Sequence, residues 1–252
     1  MPVVLVHGNP ETDAIWDELR STLVSGGLDR RSIVALSPPG YGAPVPDGFG
    51  ATSDDYRDWL SGELEAIGEP VDLVGHDWGG GHAMRVAIDR PDLLRSWCSD
   101  IVGILNEKYV WHEAAQRYQG PRGEETVAEV MSVDAERYVG WLMKAGMSEL
   151  AARSSEQARG EEMGRCILAL YRSGAQPAVG KWGRDLPKAT ERPGLAIIAE
   201  NDPYVGGVEL SRESAERAGA QVALLDGLGH WWMCEDPARG AQVLTQFWAS
   251  IE

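Results

Sequence analysis

Asp77, Asp202 and His230 have the types and surroundings for nucleophilic attack followed by base-assisted hydrolysis. Asp77 is the centre of Gly75-His76-Asp77-Trp78-Gly79, where an apolar run (Val71 to Val74) ends in a glycine-flanked turn ahead of a helical pattern. Such an elbow needs small flanking residues so that the residue between them can project into a site, and the residue it usually presents is serine. The following helix offers backbone N–H groups and its positive dipole end, which implies an ionised carboxylate. A Gly-rich turn also uses Asp as a plain helix cap, so Asp77 needs support from elsewhere. LAIIAENDPYV puts Asp202 just beyond one apolar run, and LLDGLGHWWMCEDP puts His230 just beyond the next. Singly, Asp202 reads as an Asx turn before Pro203 and His230 as a loop residue. Together the chain order is nucleophile, acid, histidine, each at a strand end.

The elements that must position these residues follow a βαβ rhythm. Apolar runs at Val3 to Val6, Ile33 to Leu36, Val71 to Val74, Leu195 to Ala199 and Val222 to Leu225 predict strands, with a sixth near Ser96 to Ile101. Helical patterns cover Asp54 to Ile67, Gly80 to Asp89, Glu209 to Ala218 and Pro237 to Ile251. From about Ile104 to Trp182 the strand-type runs vanish and amphipathic helical spacing takes over. The fold class is therefore α/β, a mainly parallel sheet flanked by helices, with residues 1–103 and 183–252 forming the core and 104–182 an inserted helical cap over the strand ends, where ligands bind in such sheets.

Composition narrows the function classes. The 252 residues carry a net charge of −16, and the 23 basic residues form no run, which argues against a nucleic-acid partner. Ten Trp against two Phe make the aromatic surface mostly indole. Cys98, Cys166 and Cys234 are widely spaced and odd in number, suggesting neither a disulfide framework nor a zinc site. No apolar span is long enough for a membrane helix, and the N-terminus lacks a basic region before its short apolar run. A cytoplasmic enzyme without metal or organic cofactor, acting on a small molecule, is expected; a homodimer could cover the sheet edge.

Four stretches resemble the α/β-hydrolase family, specifically the branch of epoxide hydrolases and haloalkane dehalogenases that uses aspartate as nucleophile: HGNP at His7 to Pro10, GHDWGG at Gly75 to Gly80, ENDPYV around Asp202, and GHWWMCEDP from Gly229. Asp followed by Trp in the elbow is the specific signal, since HGxP is shared by many hydrolases. The first strand begins almost at Met1, which leaves a sheet of about six strands. The resemblance implies that Asp77 attacks an sp³ carbon to give an alkyl ester. His230, oriented by Asp202, then activates water, and the backbone N–H groups of Asn9 and Trp78 hold the oxyanion. Asp100 lies near the place where some dehalogenases keep the triad acid, so it competes with Asp202.

The leaving group decides between the two branches. A halide needs only N–H donors, whereas an epoxide oxygen leaves as an alkoxide and needs a proton donor. Asn9 and Trp78 resemble the halide-binding pair of haloalkane dehalogenases. Tyr171 before Arg172 resembles the Tyr-Arg pair of an epoxide-hydrolase cap, and Trp231 and the run after it look like that branch too. YQGP at Tyr118 to Pro121 resembles the cap's aromatic-Gln-x-Pro stretch, but the usual tyrosine four residues earlier is Ala114, leaving Tyr109 or Tyr118 as substitutes; for any single cap tyrosine, helix packing with a wet hydroxyl is the commoner role. Fluoroacetate dehalogenases also carry a Tyr-Arg pair, but the arginines they place beside the nucleophile are Trp78 and Gly81 here. The leading expectation is epoxide hydrolysis of a neutral, apolar or aromatic substrate, with haloalkane dehalogenation second and a non-catalytic ligand-binding protein of the same fold third.

Overall fold

The computed structural model describes residues 1–251. Strands β1 (Val3–Val6), β2 (Ile33–Leu36), β3 (Val71–Gly75), β4 (Leu94–Ser99), β5 (Gly194–Ala199) and β6 (Gln221–Leu225) form one sheet in the order β2-β1-β3-β4-β5-β6. Every neighbouring pair is parallel. In chain order the helices are α1 (Asp17–Ser25), α2 (Ser53–Ile67), α3 (Trp78–Asp89), α4 (Glu113–Gln119), α5 (Gly123–Met131), α6 (Ala135–Lys144), α7 (Glu149–Ala158), α8 (Glu161–Ser173), α9 (Ala178–Arg184), α10 (Gly207–Arg217), α11 (Trp232–Glu235) and α12 (Pro237–Ser250).

Strand side chains alternate between faces, and in β1 and β5 both faces are buried, which is why those runs are continuously apolar. Val4, Val6, Leu73 and Trp97 enter one core with Ala83, Met84 and Val86 of α3. Val3, Leu5, Val74 and Ile197 enter the other with Leu19 and Leu23 of α1 and Leu244 of α12. α1 and α3 thus leave adjacent strands β1 and β3 toward opposite faces. The connections diverge at that point and open a crevice beyond the strands' C-terminal ends. Between β4 and β5 the chain runs through α4 to α9 with no strand, as the helical spacing of 104–182 predicts.

Several element boundaries differ from expectation by up to two residues, and two of these differences have a visible cause. β4 begins at Leu94 rather than Ser96, because Arg95 and Ser96, which break the apolar run, pair with Asp72 of β3: Arg95 Nε donates to Asp72 Oδ1 at 2.8 Å and Ser96 Oγ to the same oxygen. α3 begins at Trp78 rather than Gly80, so the glycines that read as a turn lie inside the helix. They are there for close approach: a Cβ on Gly79 would lie 2.3 Å from the Val6 carbonyl oxygen and one on Gly75 2.4 Å from that of Gly79. Gly79→Ala must therefore push backbone against backbone, and overpacking of this kind costs about 3 kcal/mol. Its melting temperature is expected to fall by about 6–12 °C, readable by calorimetry; an unchanged transition would show that the elbow has slack.

Candidate active site

The elbow holds Asp77 at φ 50°, ψ −130°, a left-sided backbone conformation that a non-glycine residue rarely adopts. It is held by its surroundings: Asp77 N–H donates to Asp100 Oδ1 at 3.1 Å, and the Asp77 carbonyl accepts from Gly81 N–H at 3.1 Å. The turn after β1 comes up beside it. Asn9 N–H donates to Asp77 Oδ1 at 2.8 Å, and a Cβ on Gly8 would collide with that same oxygen at 2.1 Å. Trp78 N–H lies at the first residue of α3, where no intrahelical acceptor exists.

His230 follows β6 and is buried. Its Nδ1 pairs with Asp202 Oδ2 at 2.7 Å, and Asp202 Oδ1 is fixed by Tyr204 N–H at 2.8 Å. A carboxylate on Nδ1 leaves the proton there and makes Nε2 the basic nitrogen. Nε2 is 3.8 Å from Asp77 Oδ2, beyond a direct hydrogen bond, so its lone pair is free for water. Burial disfavours the charged ring, but Asp202 with Asp77 outweighs burial and the repulsion of His76, raising the pKa of His230 above its usual 6.5. Asp77 departs from the expectation of a firmly ionised carboxylate. Burial lifts it to about 6, against the pull of His230 and the Asn9 N–H.

Asp100, the competing acid, lies elsewhere. Its Oδ2 meets His76 Nδ1 at 2.5 Å and Trp232 Nε1 at 2.7 Å, behind the elbow. His76 Nε2 meets Glu11 Oε1 at 3.1 Å, and Glu11 also accepts from Trp231 Nε1 at 2.7 Å and Gly8 N–H at 3.0 Å. Burial opposes charge on His76, but Asp100 and Glu11 outweigh it and raise its pKa well above 6.5. Glu11 is likewise penalised by burial, yet His76 holds it down at about 2. This chain of charges is in ring contact with the triad, the His76 and His230 centroids being 4.5 Å apart. Sequence reasoning missed it, although Glu11 directly follows HGNP and His76 directly precedes Asp77. Glu11, His76 and His230 bring ligand atoms within 4.8 Å of one another, a spacing a metal could use, but both nitrogens of His76 and Nδ1 of His230 are already engaged by carboxylates.

A cavity of about 210 Å³ opens over Asp77 and His230. Its walls come from the turn after β1 (Asn9, Pro10) and from the β4–β5 segment, notably His112, Tyr118, Tyr138, Leu142, Ile167 and Tyr171. A side chamber of about 20 Å³, room for about one water, shares Asp77, His112, Tyr171 and Tyr204 with it and adds Trp78 and Trp111. No Lys or Arg lines either space among the described residues. Of the expected site residues, Asn9, Asp77, Tyr118, Tyr171, His230 and Trp231 meet at the main cavity and Trp78 at the side chamber. Trp231 offers its ring only, since its N–H is committed to Glu11. Tyr109 is a correction: its hydroxyl donates to the Tyr204 carbonyl, and the residue lines neither space. Tyr171 is buried, and Asn9 Nδ2 points at its oxygen at 3.4 Å. The Trp78 indole stands edge-on to its ring at 5.2 Å. Burial, reinforced by Asp77, still keeps the phenol's pKa well above 10.

A parallel sheet that brings two carboxylates and a histidine from three strand ends to one crevice is the architecture of an α/β hydrolase. The chain matches the alpha/beta hydrolase family over residues 3–243 and belongs to it. It is similar to haloalkane dehalogenase 2 of Mycobacterium tuberculosis, 25% identical over 212 residues that cover 80% of this chain and 71% of that protein. It is also similar to an epoxide hydrolase of Caballeronia sordidicola, 31% identical over 107 residues, 37% of this chain and 29% of that one. Among solved structures, E-2-(acetamidomethylene)succinate hydrolase superposes with a TM-score of 0.75 at 17% identity, covering 98% of this chain and 91% of that one. That likeness establishes the fold alone. Among the described residues no helix is long and apolar enough to cross a membrane.

Proposed function

We propose that the protein is an epoxide hydrolase that opens compact, neutral, apolar or aromatic epoxides through a covalent ester on Asp77, with residues 104–182 as its cap. The observation that carries this reading is the position of the Tyr171 oxygen. Asn9 Nδ2 donates to it at 3.4 Å, so its own O–H is directed away from that amide. The Asn9 amide that would grip a halide is therefore already holding a phenol whose raised pKa keeps its proton in place. Asp77 Oδ2 attacks an epoxide carbon, the C–O bond breaks, and the alkoxide, a stronger base than phenolate, takes the Tyr171 proton. His230 Nε2 then removes a proton from water. The hydroxide adds to the ester carbonyl, and the oxyanion develops on Oδ1, where the Asn9 N–H already sits. Collapse releases the diol and the Asp77 carboxylate, and the proton on His230 returns through solvent to the Tyr171 phenolate. The cavity's volume and its lack of cationic residues support a small uncharged substrate.

The approach of the Asn9 amide and the Trp78 ring to Tyr171 also favours a second reading, haloalkane dehalogenation with Tyr171 turned aside, and the similarity to haloalkane dehalogenase 2 supports it. Single-turnover alkylation of Asp77 by 1,2-epoxyhexane and by 1-bromohexane, followed by intact mass, separates the two. The expected result is an adduct from the epoxide, formed about 10²-fold or more slowly in Tyr171→Phe. An adduct from the bromoalkane alone, or an unaffected Tyr171→Phe, would transfer the assignment to the halide.

A further inference from the structure

We propose that His112 is a second donor to the leaving oxygen, its Nε2–H binding the alkoxide beside Tyr171; this rests on the epoxide reading. His112 caps α4, and its Nδ1 accepts from Ala115 N–H at 3.3 Å. A nitrogen that accepts from an N–H carries no proton of its own, so the neutral ring has its proton on Nε2. The ring is neutral: burial, then the charge of His230, lowers its pKa to about 4. Nε2 is on the ring edge away from the helix it caps, and among the described residues it has no protein partner.

The location fits an oxygen leaving from Asp77. His112 lines both the main cavity and the side chamber, as do Asp77 and Tyr171. Its ring is wedged between Tyr204, 4.9 Å away, and Tyr171, 6.4 Å away and nearly perpendicular. An alkoxide has more lone pairs than one phenol can satisfy, and an unpaired anionic oxygen in an apolar cavity is costly. Of the other donors there, Trp231 Nε1 is spent on Glu11 and Asn9 Nδ2 on Tyr171. The Tyr204 hydroxyl is the competitor, but no contact fixes its direction, whereas the cap fixes both the ring and the tautomer of His112.

The cap also supplies a selective variant. Asn is a favoured N-cap residue, so His112→Asn keeps an acceptor for Ala115 N–H while removing the donor that reaches the cavity. In a His230→Ala background, so that the ester accumulates, His112→Asn is expected to slow alkylation by 1,2-epoxyhexane about 10- to 100-fold. Its thermal transition should stay close to that of its parent. His112→Gln, which restores an N–H at longer reach, should recover most of the rate, and Tyr204→Phe should cost clearly less than His112→Asn. An Asn variant that alkylates at the parental rate, or a loss found in Tyr204→Phe instead, overturns the proposal. A parent that forms no adduct with any epoxide overturns the epoxide reading itself, which is a separate result.

Discussion

His230→Ala is expected to lower steady-state hydrolysis by about 10³- to 10⁴-fold while leaving Asp77 able to react once. The two steps make different demands on the site. Attack by Asp77 Oδ2 needs an ionised carboxylate and no base, whereas deacylation needs a proton acceptor, and Nε2, 3.8 Å from Oδ2, is the one unpaired basic nitrogen facing that oxygen. Intact mass should therefore show about one equivalent of ester, on the peptide containing Asp77, with no further product. Removing His230 also leaves Asp202 buried without its partner, so His230→Gln, with an amide donor for Asp202, provides a folded control with the same block. The pH profile divides in the same way. Alkylation should rise with pH as Asp77 loses its proton around pH 6. In the free enzyme the charge of Asp77 helps to raise the pKa of His230, and esterification removes that charge. The base should then be competent at a lower pH in the ester than in the resting protein. Turnover near the wild-type rate in His230→Ala, or an adduct on another residue, would refute the two-step scheme.

What the sequence made legible follows from which forces are local. β1 and β5 were readable to within a residue because their side chains are buried on both faces, and that leaves an unbroken run of Val, Ile, Leu and Ala. β4 was displaced by two residues because Arg95 and Ser96 are satisfied by Asp72, a partner more than 20 positions away that no run of hydropathy reveals. The meeting of Asp77, Asp202 and His230 was readable because all three follow strands, and a parallel sheet gathers strand ends at one edge. The tyrosines were harder. Tyr109, Tyr118 and Tyr171 are alike in type and all lie in helical or loop segments, and which hydroxyl faces the cavity depends on how those segments cross. The raised pKa of Asp77 was not legible for a related reason: the helix dipole is a local effect, but the apolar walls that oppose it come from residues 112 to 171. Glu11, His76 and Asp100 come from three different strand-end turns, so their contact has no signature in spacing.

That buried trio carries the second large effect, this one on stability. Asp100→Ala would remove the carboxylate that faces His76 and would leave Trp232 Nε1 and the Asp77 N–H without their acceptor. Breaking a buried pair from one side costs about 3–5 kcal/mol, which corresponds to a fall in melting temperature of about 6–20 °C for a domain of this size. Activity should fall as well, because the same N–H helps to hold Asp77 in its strained conformation. The pH dependence identifies the charges involved. Glu11 titrates at about 2 in the folded protein against 4.5 when free, so its contribution is present above pH 4.5 and is lost as pH falls toward 2. The size of that loss is about 3 kcal/mol. His76 runs the other way: its raised pKa gives a contribution that is complete below pH 6.5 and is lost as pH rises through the folded value. Thermal unfolding followed from pH 7 to pH 3 should therefore show a steep acid loss in the wild type and a shallower one in Glu11→Gln, which has no proton to take up. Equal acid slopes in the two proteins, or an Asp100→Ala transition within about 2 °C of wild type, would mean that water rather than His76 neutralises these carboxylates. The trio would then be incidental to holding Asp77 in place.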